Sequence, residues 1–113
     1  MLDLYAGTGA LALEALSRGA RSATCVERSP AALAALERNV RELGLVDRVS
    51  IVRGDALAYA RRLRGESDRF DLVFCDPPYA DPFEPILADV VALVDMLIHL
   101  ERLKELHNPL LPL

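Results

Sequence analysis

Four short, almost continuously apolar runs, Leu2–Tyr5, Ala23–Val26, Val49–Val52 and Phe70–Phe74, recur along this chain, and the segments between them carry helical periodicity. A strand with one wet face alternates apolar and polar residues, so continuous runs imply a sheet covered by helices on both faces. The first helix is expected over about Ala10 to Arg18, stopping at Gly19. The second opens with Ser29 as N-cap and Pro30 at its first position, carries Leu33, Leu36, Val40 and Leu43 on one face, and stops at Gly44. A third covers roughly Ala56 to Leu63. Strand and helix alternating through short connections predict right-handed crossovers, hence an α/β, Rossmann-like parallel sheet of about four strands in the order 3-2-1-4. Ligands in such sheets gather at the C-terminal strand ends, beside the switch point between strands 1 and 4.

After Pro85 the pattern changes. Ile86, Val90, Leu93, Leu97, Leu100 and Leu103 fall at helical spacing, which predicts one long helix to about Leu106, with a break near Val94 as a variant, and no fifth strand. Residues 1–82 then form a cofactor-binding and catalytic core, and 83–113 a helical segment of the same domain. A four-strand sheet with open edges predicts self-association through the 83–106 helix.

At 113 residues the chain has room for one domain, and 52% hydrophobic residues exclude a disordered chain. No apolar run approaches the roughly 18 residues of a membrane span, so no membrane partner is expected. A net charge of -4 excludes a chain-wide basic field for gripping nucleic acid. Cys25 and Cys75 lie in apolar runs and read as buried free thiols of a reducing, cytoplasmic compartment. His99 and His107 lack Cys partners at ligand spacing, so no metal is expected.

Gly7-Thr8-Gly9 stands between a strand and a helix, where missing Cβ atoms let backbone approach a ligand and helix-start amides favour negative charge. With Ala12 as the third small residue, the run fits the dinucleotide fingerprint. Glu27 ends the second strand, where a carboxylate can accept from both ribose hydroxyls of an adenosine ligand. Asp55 follows the third strand and can accept from an adenine amino group, or serve as an ordinary N-cap. Asp3, in the first strand, either is a buried structural carboxylate or holds an ammonium. S-adenosylmethionine has an ammonium there and a nicotinamide dinucleotide does not. Asp76-Pro77-Pro78-Tyr79 follows the fourth strand, and its two prolines stiffen the backbone so that the Pro77 carbonyl projects at a fixed angle beside a carboxylate and a ring. Together these groups can accept both protons of an exocyclic amine and stack on the base that bears it.

The stretch Leu2-Asp3-Leu4-Tyr5-Ala6-Gly7-Thr8-Gly9-Ala10-Leu11, with Glu14 to Ala20, Val26-Glu27 and Asp76 to Tyr79, resembles the bacterial RsmD family, which methylates guanine N2 in 16S ribosomal RNA. The resemblance covers about Met1 to Tyr79. It implies a class I S-adenosylmethionine-dependent methyltransferase with ribosomal RNA or the small ribosomal subunit as partner. Asp3, Gly7 and Gly9 would then lie along the methionine end of the cofactor, Glu27 on the ribose, and Asp55 and Ala56 on the adenine edge, with Tyr5, Thr8 and Arg28 completing the cofactor set. Asp76, Pro77 and Tyr79 would face the target base. Family members carry a basic arm and helix before the first strand and further strands after the fourth helix, so the chain reads as truncated. The alternatives are an N6-adenine DNA methyltransferase and a non-catalytic cofactor-binding module.

Overall fold

In the computed structural model the described residues are 1–66, 69–78, 84–91 and 94–98. Among these residues, five strands, β1 (Leu2–Asp3), β2 (Ala23–Glu27), β3 (Val49–Arg53), β4 (Phe70–Phe74) and β5 (Val94–Ile98), alternate with four helices, α1 (Ala10–Ser17), α2 (Pro30–Glu42), α3 (Ala56–Glu66) and α4 (Glu84–Val91). Every pairing is parallel, and the order across the sheet is β3-β2-β1-β4-β5. The expected 3-2-1-4 order therefore holds, with β1 central: Leu2 pairs with Thr24 on one side and Val73 on the other. Although β1 is formally two residues long, its ladder continues into the following turn. The Leu4 N–H donates to the Phe74 carbonyl (3.1 Å) and the Ala6 N–H to the Val26 carbonyl (3.0 Å).

Continuous hydrophobicity in the strands is explained by two cores, one on each sheet face. Leu2, Leu4, Val26 and Val73 pack with Ala56, Ala60 and Leu63 of α3 and Ile86 and Val90 of α4. On the other face Ala23, Cys25 and Val49 pack with Ala12 and Leu16 of α1 and Leu36 and Val40 of α2. Both cysteines are buried free thiols. The capping signals of α2 are realised: the Ala32 N–H donates to Ser29 Oγ (3.3 Å), Pro30 opens the helix, and the Leu45 N–H closes it on the Val40 carbonyl (2.9 Å).

The long terminal helix is corrected. It stops at Val91, and Val94–Ile98 is a strand along β4, with Phe70 opposite Val94 and Phe74 opposite Ile98. The apolar positions after Pro85 fit helical spacing, but 94–98 is also a short apolar run like the other four, and a run of that length does not distinguish the two by period. The unpaired edge of β4 decides between them, because a parallel partner satisfies its backbone groups. Self-association through an 83–106 helix loses its premise with that helix. Tyr79, His99, His107 and the remainder of the expected helix lie outside the described residues.

Candidate active site

The C-terminal ends of β1 to β4 border a cavity of about 480 Å³, within the size range of small-molecule sites. Of the residues expected from sequence, Tyr5, Glu27, Arg28, Asp55, Ala56, Asp76 and Pro77 line it. Four separate loops thus deliver them to one place, as the topology requires. Leu4, Val26, Ser29, Gly54 and Pro78 also line the cavity and were not among the site residues expected from sequence, although Ser29 was read as a helix cap and Pro78 as a stiffener of its loop. Their signal was positional, since each flanks a strand end already bearing a candidate. Asp3 is not part of the lining and is buried, 2% exposed.

Glu27 ties two of these loops together. Its Oε1 accepts the Gly7 N–H (2.8 Å), and its Oε2 accepts both the Arg28 and Ser29 N–H groups (2.8 Å each). A carboxylate offers about four acceptor positions, so one remains, fewer than the two hydroxyl bonds expected of it. The carboxylate end of β2 is therefore also a structural clasp between the glycine turn and the start of α2.

The glycine turn itself has two different reasons for its glycines. Gly7 has φ 58° with open space where a Cβ would stand, so only the backbone conformation calls for glycine. Gly9 has φ 89°, and a Cβ there would collide with Leu36 Cδ1 from α2. Helix packing is thus by itself a sufficient reason for glycine at position 9, beside the ligand contact that the sequence suggested. Gly7, Thr8 and Gly9 do not line the cavity; the Glu27 carboxylate connects them to it.

Asp55 does what an N-cap does, its Oδ2 accepting the Ala58 N–H (3.0 Å) at the start of α3, while it lines the cavity. Both sequence readings of this residue are thus compatible. Asp3 Oδ1 accepts the Tyr5 N–H (3.2 Å). Desolvation raises the Asp3 pKa to about 6, the Tyr5 bond opposes the rise, and the carboxylates of Asp76 and Glu27 add to it. Asp76, at the β4 exit, and Glu27, at the end of β2, are therefore close enough to Asp3 to disfavour its anion, and a cation placed beside Asp3 would favour it. Burial likewise pushes both thiols up to about 12, so neither Cys25 nor Cys75 is a thiolate nucleophile at neutral pH.

Residues 1–106 match the family model described as Conserved hypothetical protein 95, the RsmD family. The chain belongs to this family. One RsmD-family relative, the ribosomal RNA small subunit methyltransferase D of Buchnera aphidicola subsp. Acyrthosiphon pisum, is 36% identical over 78 residues, covering 69% of this chain and 39% of the relative. The chain thus spans well under half the length of that protein. A conserved hypothetical protein of Streptococcus pyogenes superposes with a TM-score of 0.74 at 34% identity, over 87% of this chain and 63% of that one. SMU.776, solved in complex with SAH, shares the fold at a TM-score of 0.75 and 19% identity, over 87% of this chain and 30% of that one.

Proposed function

We propose that the chain carries the cofactor site and catalytic loop of an S-adenosylmethionine-dependent methyltransferase acting on an exocyclic amine of ribosomal RNA, guanine N2 first. The carrying observation is the group of carboxylates at the strand ends: Glu27, Asp55 and Asp76 line the cavity, and Asp3 is destabilised as an anion by burial first and by Asp76 and Glu27 in addition. Such a site favours a ligand bearing positive charge, and the acceptor-rich cavity suits adenosine in addition. The name of the Buchnera relative supports ribosomal RNA as the substrate. When bound, S-adenosylmethionine would supply a methyl group activated by a sulfonium.

Within that reading Asp3 faces the ammonium end, Glu27 accepts a ribose hydroxyl, and Asp55 and Ala56 meet the adenine edge. Engaging both hydroxyls would require Glu27 to release one of its three amides. Asp76 and the Pro77 carbonyl accept the two protons of the target amine, favouring a tetrahedral nitrogen whose lone pair is free to attack, and Tyr79 stacks on the base. Positioning and fixed dipoles supply the acceleration. Asp76 need not be a strong base, because the amine loses its proton readily once methylated.

Calorimetric titration with S-adenosylmethionine and with NAD, followed by methyl transfer to protein-free RNA and to small ribosomal subunits, tests the reading. S-adenosylmethionine should bind and NAD should not. Asp76→Ala should abolish transfer while leaving cofactor affinity within about threefold, less than the cost of one hydrogen bond. Mass spectrometry showing methyl on a ring carbon, a ribose oxygen or a protein side chain would overturn it, as would transfer to adenine N6 of DNA in preference to RNA.

A further inference from the structure

The turn Gly7–Gly9 is held at each of its three residues by the β2–α2 segment. The Gly7 N–H donates to Glu27 Oε1 (2.8 Å), Asn39 Nδ2 donates to the Thr8 carbonyl (3.0 Å), and Leu36 Cδ1 fills the space a Gly9 side chain would need. Leu36 and Asn39 are three apart on α2 and so share one helix face. We propose that Asn39 is a positioning residue for the glycine turn, and that α2 through it fixes the turn's shape before a ligand arrives.

The physical link is the planar peptide between Thr8 and Gly9. Its carbonyl is the group Asn39 holds, and its N–H donates to the Ala6 carbonyl (2.9 Å). A planar unit pinned at both ends cannot rotate, so the Asn39 bond sets the orientation of the whole peptide. The Gly9 carbonyl then accepts the Leu13 N–H (2.9 Å), which carries the orientation into the first turn of α1. Asn is also a poor residue for a helix interior, well behind Ala, so its place in α2 is accounted for by the turn contact and not by helix stability.

The ligand consequence rests on the proposed reading that the turn lies along the amino-acid end of the cofactor. Asn39→Ala and Asn39→Asp are therefore compared with Arg38→Ala, an exposed neighbour on the same helix, by affinity for S-adenosylhomocysteine and for adenosine, melting temperature, and amide exchange at Gly9. Asn39→Ala should weaken S-adenosylhomocysteine about fivefold, the worth of one hydrogen bond, and adenosine by less than about twofold. Its melting temperature should stay level or rise, because Ala is the better helix former, while Gly9 exchange accelerates. Asn39→Asp should weaken binding further, since an anion replaces the donor facing Thr8, and Arg38→Ala should change none of these readouts. Wild-type affinity together with wild-type Gly9 exchange in Asn39→Ala overturns the proposal. So does an equal loss for both ligands accompanied by a lowered melting temperature, which is what a general structural role would give. If the wild-type chain binds neither ligand, the cofactor reading fails, and Gly9 exchange still decides whether Asn39 holds the turn.

Discussion

Asp3 sits in the central strand, where a carboxylate is unfavourable for folding. With its pKa raised from 3.8 to about 6, the folded chain binds the proton more tightly than the unfolded chain does. The associated stability is full below the unfolded value near 3.8 and is lost as pH rises through about 6, a difference on the order of 3 kcal/mol. Asp3→Asn keeps an acceptor for the Tyr5 N–H but no titrating group. Urea denaturation across pH should show it flatter than wild type between pH 4 and 7 and more stable at pH 8, with weaker S-adenosylmethionine binding; an unchanged pH profile would remove Asp3 as its source. Gly9 is a steric counterpart. Gly9→Ala should cost about 2 to 3 kcal/mol, joining left-handed backbone strain to a collision with fully buried Leu36, whereas Gly7→Ala should cost only the strain, about 1 kcal/mol. Equal denaturation midpoints for the two variants would show that Leu36 yields freely.

Among the elements, β5 and α4 matter most to the departure from sequence expectation. β5 covers the edge of β4, the strand whose exit carries Asp76 and Pro77 of the candidate site. Asp89 of α4 reaches two arginines of α3, Arg64 Nη1 at 3.2 Å and Arg61 Nε at 3.5 Å, and this pair links the two helices over one sheet face. Both arginines are more than half exposed, so the link orients α4 more than it stabilises the fold. A chain ending at Ile98 and one ending at Val91 differ by the β5 region alone. Thermal melts followed by circular dichroism should show the shorter chain melting earlier and less cooperatively; coincident melts would mean that β4 needs no partner.

At the scale of the whole molecule, a net charge of -4 is distributed so that Asp3, Glu27, Asp55 and Asp76, from four distant points of the chain, converge at one end of the sheet. The parallel topology produces that convergence, because every strand delivers its C-terminal residue to the same edge. The cost of assembling like charges is met by the two apolar cores beneath, each built from strand residues and the helices of one face. Function and stability therefore occupy opposite requirements of the same sheet.

The strand–helix alternation, the caps of α2 and most of the cavity lining were legible in the sequence because each follows from local patterning, namely apolar runs, N-cap chemistry and residues at fixed offsets from strand ends. The 3-2-1-4 order followed from the alternation through the right-handed crossover rule. The sequence left undecided what depends on partners distant in the chain. Val94–Ile98 became a strand because β4 presented an unpaired edge. Gly9 is glycine because Leu36 packs over it, Glu27 is largely occupied by amides from two loops, and Asn39 meets Thr8 across 31 residues of chain. No period or motif encodes such contacts. They arise when the crossover lays α2 beside the glycine turn, which is why tertiary structure decided how the turn is held while sequence decided only that a turn would be there.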